Sequence, residues 1–347
     1  MTGDTWPPTS IASANLFIEK CTWHGLLPLL FAEQQLPRSV EDARAAIAGL
    51  ERNFAVRALL FHEAIIAVCR TLADEPVMLI KGADFAHRLY PDRALRPMQD
   101  IDVLVPSLRI DSVCRRVMDA GFVPIPGAGA ARDPAHHERV FMFGKNFVEI
   151  HQSFIQRSRH RIDYEGIWQR RLPLDLGAQK TSRLDDVDAL IYQALTLSSI
   201  DDLYPNRFIR FVDLWILLRQ YDGIALAAAE RARDWQAAHG LYAALSQACR
   251  LFPEFRTPDV GAAMARVLSG PSRRFIDRFV LPTPAEVRST RRPRRWLQLW
   301  RKFWLMDTTG RRVAFAFSHG AATLRSWRSG SRKSKPGKGG LTKITIK

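Results

Sequence analysis

The hydrophobic period of this chain changes at Glu75-Pro76 and changes back near residue 165, and that double switch restricts the fold more than any other feature. Before it, apolar residues recur at helical spacing in WHGLLPLLFAEQQL and NFAVRALLFHEAIIAVCRTL, with Pro37 and Ser39 marking a turn and a helix start between them. Between the two switches, VMLIKG, ADFAHRLY, IDVLV, SLRIDSVCRRVMDAG, FVPI, RVFMFG and FVEIHQSF read in order as β-α-β-α-β-β-β. Beyond the second, DDVDALIYQALTLSSI, RFIRFVDLWILLRQY, GIALAAAERARDWQAA and LYAALSQACRLF read as successive helices, and strands are expected to stop. The expected class is α+β: an N-terminal helical region at 1–75, a small mixed-sheet core at 76–165 and a C-terminal helical domain at 166–287.

Charge separates the remainder of the chain from this body. The net charge is +16, from 51 Lys and Arg against 35 Asp and Glu. Residues 288–347 hold 17 of the basic residues and one acid, Asp307, which leaves 34 of each sign in 1–287. In 288–330, RRPRRWLQLWRKFWLM places Trp296, Trp300 and Trp304 on one helical face beside Arg294, Arg295, Arg301 and Lys302. Such a helix can pack its tryptophans on the body, lie on an anionic membrane surface or follow nucleic-acid phosphates. The Ser, Gly, Pro and Lys of 331–347 predict disorder. Cys21, Cys69, Cys114 and Cys249 are scattered without a C-x-x-C pair, and no basic leader or long apolar run is evident, so a cytoplasmic location is expected, with peripheral attachment at the inner membrane surface as an option.

The chemistry is concentrated in LIKGADFAHRLYPDRALRPMQDIDVLV, residues 79–105. Residues two apart on a strand share a face, so Asp100 and Asp102 set two carboxylates side by side while Ile101 and Val103 turn to the core. Adjacent carboxylates repel unless a cation lies between them, and Mg²⁺ prefers oxygen ligands of this kind. Glu149, which interrupts the apolar strand VEIHQ, is the candidate third acid, and His151 shares its face as a possible substrate contact. Between strand and helix, the N–H groups of Gly82, Ala83 and Asp84 form a helix N-terminus suited to an anion. Lys81 offers a point charge there, Arg96 a guanidinium fork four residues before Asp100, and Tyr90 a wall for a nucleotide pocket.

This pattern, K-G, an L-Y pair, Arg96 ahead of D-I-D and a later strand V-E-I-H, resembles the nucleotidyltransferase superfamily that includes DNA polymerase β. Within it the chain is most similar to the uncharacterised nucleotidyltransferases of the "family 5" type, whose flanks WHGLLPLL and RFIRFVDLWILL resemble. Ala83 stands where the superfamily's turn carries Gly or Ser. The resemblance implies that Asp100, Asp102 and Glu149 bind two Mg²⁺ ions, that Gly82 and its helix cradle an NTP triphosphate, and that a nucleoside monophosphate passes to a hydroxyl of a small molecule or sugar. Glu149 then serves as base toward that hydroxyl or holds the second ion, and the sequence leaves both open. Two other functions fit the same residues: a toxin-like nucleotidyltransferase acting on tRNA or protein, and a degenerate nucleotide-binding scaffold docked to a membrane-associated assembly.

Three further groups carry bland expectations. His136-His137 reads as loop filler in GAGAARDPAHHERV, and Asp185, Asp186 and Asp188 as a helix cap. Asp213 is an acid on an apolar helix, expected to pair with Arg207 or Arg210.

Overall fold

The computed structural model describes residues 11–33, 44–125, 137–155, 159–198, 207–283, 286 and 295–317. His136 and the tail 331–347 lie outside these residues. The N-terminal region is helical as expected: α1 (Ile11–His24), α2 (Leu27–Ala32) and the 28-residue α3 (Arg44–Thr71). The core then runs β1 (Met78–Ile80), α4 (Gly82–Arg88), β2 (Asp100–Leu104), α5 (Ile110–Asp119), β3 (Val123–Pro124), β4 (Glu138–Phe143) and β5 (Asn146–His151).

The sheet is mixed and seven-stranded, in the order β3-β4-β5-β2-β1-β7-β6. The last two strands correct the expectation that strands stop near 165. After α6 (Tyr164–Arg170), β6 (Leu172–Asp175) and β7 (Lys180–Arg183) form a hairpin, and β7 pairs in parallel with β1. The hairpin turn closes with Asp175 accepting from the Gly177 N–H while Gly177 takes a φ of 83°, a conformation glycine adopts without strain. The polar run KTSR, exposed or half-buried throughout, carries no apolar alternation to mark a strand, and its place comes from pairing with β1.

Each face of the sheet has its own core. Leu79, Ile101, Val103, Val148 and Ile150 pack with Phe61, Ile65 and Val68 of α3 and Val113 and Val117 of α5. On the other face, Met78, Ile80 and Leu104 join α7 (Asp186–Ser198), α8 (Ile209–Leu218), α9 (Ile224–Asp234), α10 (Ala238–Leu251) and α11 (Pro258–Val267). The cap at Asp185 is present, its carboxylate accepting from the Asp188 N–H at 2.6 Å, and Arg231 and Arg170 bind the same acids. The cysteines are free, three of them buried. Among the described residues no helix is long and apolar enough to cross a membrane.

Candidate active site

Strand pairing decides which acids meet. β2 runs parallel to β5 with Asp100 opposite Phe147, Asp102 opposite Glu149 and Leu104 opposite His151. Because β4 and β5 are antiparallel with Glu138 opposite His151, the face away from α3 carries Asp100, Asp102, Glu149, His151 and Glu138 together. Asp102, Glu149 and His151 bring one ligand atom each within 4.8 Å of the others. Asp100 lies outside that group and lines the adjoining cleft with Lys81, Gly82, Arg96, Asp102, Arg207 and Arg210.

Two donors hold Asp102. The Lys81 ammonium donates to its Oδ1 at 2.5 Å and His151 Nε2 lies 2.8 Å from the same oxygen. Burial alone would raise this carboxyl, but Lys81 and His151 outweigh it and hold it well below the usual carboxylate range. Asp100 behaves oppositely. Burial, then the charges of Asp102 and Glu149, push its pKa up to about 7 against the pull of Lys81 and Arg210. Burial and Lys81 lower the His151 imidazole, yet its hydrogen bonds to Asp102 and Glu149 bring it up to about 9. The acids therefore stand closer together than the nearby cations compensate, and an oxygen-rich set of this kind fits a divalent cation.

Several site residues occupy positions other than those the sequence suggested. Lys81 points at Asp102, and its backbone sits at a φ of 53° at the head of α4. Gly82 is closely packed: a Cβ there would meet Met98 Cγ at 3.0 Å, so the Met98 side chain would have to shift to admit one. Arg96 lines the cleft, but its fork is spent on Asp213, Nε to Oδ1 at 2.8 Å and Nη2 to Oδ2 at 2.7 Å. That corrects the expected pairing of Asp213 with Arg207 or Arg210. Tyr90 is buried in the helical-domain core and donates to Asp213 Oδ1 at 2.8 Å, so it braces this ion pair and is not among the residues lining the cleft.

Arg207 and Arg210, the expected partners of Asp213, line the cleft instead. Burial, then Arg96 and Arg210, lower the Arg207 guanidinium to about 10 against the pull of Asp100. The early Trp23-His24-Gly25 motif aims it. Arg207 Nε donates to the Trp23 carbonyl at 2.9 Å, His24 stacks on Phe208 at 4.1 Å, and Gly25, at a φ of 74°, leaves the space that the guanidinium crosses. The signal that could have marked this role is two arginines, Arg207 and Arg210, within the six residues before Asp213, more positive charge than one carboxylate can take.

Residues 12–253 match the family described as uncharacterised nucleotidyltransferases, and the chain belongs to it. No curated protein matches the chain. Two solved structures are similar to it. One is the antibiotic-resistance factor ANT(2'')-Ia, with 12% identity, a TM-score of 0.34, and coverage of 52% of this chain and 94% of that one. The other is an antigenic nucleotidyltransferase-like protein from Paracoccidioides brasiliensis, with 14% identity, a TM-score of 0.31, and coverage of 61% and 92%.

Proposed function

We propose that this nucleotidyltransferase moves a nucleoside monophosphate from an NTP to a hydroxyl of a small molecule or sugar. The observation that carries the reading is that one cleft is lined by the carboxylates of Asp100 and Asp102 together with Arg207, Arg210 and Gly82. Asp100, Asp102 and Glu149 would hold two Mg²⁺ ions, which when bound supply charge neutralisation for in-line attack at the α-phosphorus and for the leaving pyrophosphate.

The protein's own part is positional and electrostatic. Arg207 and Arg210 take the phosphate oxygens that Arg96 cannot, since its fork is occupied, and Gly82 lets the triphosphate approach the backbone. The acceptor oxygen bonds to the α-phosphorus while the bond from that phosphorus to pyrophosphate breaks, and the hydroxyl proton passes to the Glu149 carboxylate. Lys81 keeps Asp102 ionised.

The test is the melting temperature of the full chain with each NTP, with and without Mg²⁺. A Mg²⁺-dependent rise in wild type that is lost in Asp100→Asn, Asp102→Asn and Arg207→Ala is expected. No rise with any NTP overturns the reading, and growth arrest of a host by wild type but not by Asp102→Asn would move the acceptor to tRNA or protein. A separate observation favours attachment to an anionic membrane surface: in α12 (Arg295–Trp304) Trp304 packs on Phe275, but Trp296 and Trp300 remain 62% and 42% exposed.

A further inference from the structure

The face of the sheet that carries the acids continues past His151, away from the cleft. There the fully buried imidazole has two different surroundings. Its Nε2 lies 2.8 Å from Asp102 Oδ1, whereas its Nδ1 has no hydrogen-bond partner among the described residues and lies 3.7 Å from Glu138 Oε2. A buried ring nitrogen without a partner is costly unless something binds it. Glu138 is the cross-strand neighbour of His151, and the strand start is fixed by the Gln152 N–H donating to the His137 carbonyl at 2.9 Å. The His137 ring lies 5.8 Å from the His151 ring, and its Nε2 is 3.3 Å from Glu138 Oε2.

We propose that His137, Glu138 and His151 form a binding site for a divalent transition ion of the zinc class, separate from the oxygen-rich carboxylate site on the other side of the His151 ring. Each residue offers one ligand atom, and the three lie within 4.8 Å of one another. Ligands around a tetrahedral ion bonded at about 2.1 Å stand roughly 3.4 Å apart, so small side-chain rotations close the set. Two imidazoles and one carboxylate select zinc-like ions over Mg²⁺, which demands oxygen ligands and keeps its water.

The arrangement on Nε2 supports the assignment. A metal-bound histidine donates its other ring N–H to a carboxylate, which fixes the ring and strengthens the ligand, and Asp102 accepts in that position. The ion would replace the proton that an imidazolium carries on Nδ1, and this proton leaves to solvent. His137 and Glu138 are 29% and 28% exposed, which gives the ion a path in and leaves a fourth coordination position toward solvent. Bound there, the ion would tie the start of β4 to β5 and hold His151 against Asp102. Such a site gives His137, expected as loop filler, a role that does not depend on nucleotidyl transfer.

The experiment uses the full metal-free chain titrated with Co²⁺ in excess Mg²⁺, followed by the visible bands of the cobalt complex and by displacement with Zn²⁺. One Co²⁺ per chain, displaced by Zn²⁺ and untouched by Mg²⁺, is expected. His137→Ala and Glu138→Gln should each weaken it at least about tenfold, since loss even of an outer-sphere partner costs that much, while Asp100→Asn leaves it unchanged. Both substitutions are at partly exposed side chains, and their metal-free melting temperatures report whether they fold. No stoichiometric binding overturns the proposal, as does binding lost in Asp100→Asn but kept in His137→Ala and Glu138→Gln. The Mg²⁺-dependent NTP shift of His137→Ala, read in parallel, tells a failure of this site from a failure of the nucleotide reading.

Discussion

At Lys81 backbone and side chain make opposite demands. The side chain supplies the ammonium on Asp102, yet a φ of 53° and ψ of −131° belong to a region that only glycine enters without strain. Holding an ordinary residue there costs about 1–3 kcal/mol, against an entropic cost of about 0.5–1 kcal/mol for glycine. Lys81→Ala and Lys81→Gly lose the ammonium equally and differ in this strain. In urea melts without nucleotide, Lys81→Gly should be the more stable by about 1 kcal/mol, and equal stability would mean that the conformation is unstrained. The lysine of the K-G turn stands out in the sequence as a candidate because strand, Lys, Gly and helix follow in order. Its target does not, because Asp102 is 21 residues away and meets Lys81 only through the β1–β2 pairing. Glu149 was legible for the converse reason: alternation alone sets it on the face opposite Val148 and Ile150. Glu138 opens its strand without an alternating neighbour before it, so nothing in the sequence set it apart.

Between elements, the ion pair Arg96–Asp213 fastens the link between α4 and β2 to α8, with Tyr90 and Gln193 completing the carboxylate's partners. Asp213 is wholly buried, and removing one partner of such a pair leaves a desolvated charge, at a cost of about 3–5 kcal/mol. Asp213→Asn should therefore lower stability by several kcal/mol in denaturant titration, whereas a loss under about 1 kcal/mol would show that the guanidinium finds another acceptor. The α3–α4 contact supplies a pH signature. His87 Nδ1 donates to the Ala83 carbonyl and its Nε2 meets His62 Nδ1 at 3.0 Å, and burial drives its pKa down to about 4. The unfolded chain, with an ordinary histidine near 6.5, takes up the proton first as pH falls. The stability that His87 contributes is thus full above about 6.5 and lost progressively between 6.5 and 4. The difference in stability between wild type and His87→Asn should shrink across that window, and a pH-independent difference would exclude a neutral buried imidazole. Such element-level facts escape a sequence reading. Arg96 and Asp213 are 117 residues apart, and the β6–β7 hairpin owes its place to β1, not to its own pattern.

Across the whole molecule, the neutrality of 1–287 and the excess of 288–347 give the chain two surfaces of different physics. The cleft proposed for the nucleotide is lined by its own cations, Arg207 and Arg210, which do not belong to the basic remainder. Besides Trp296 and Trp300 of α12, Phe279, Val313 and Phe317 are exposed in the same C-terminal part of the chain, which carries the run of positive charge. Apolar side chains rimmed by Lys and Arg suit the headgroup region of an anionic bilayer, where the rings lose water and the charges stay near lipid phosphates. Nucleic acid would use the same charges but would draw little from aromatic side chains unless bases were free to stack. Cosedimentation should separate the two. The full chain is expected on vesicles containing an anionic lipid and not on neutral ones, with Trp296→Ala/Trp300→Ala weakening the association at least about tenfold, since burying each ring is worth more than about 1 kcal/mol. Retention of vesicle binding by the double variant, with release by salt alone, would leave only electrostatics. Retention of RNA in place of vesicles would assign the basic remainder to an RNA acceptor and move the enzyme's target from a small hydroxyl compound to a nucleic acid.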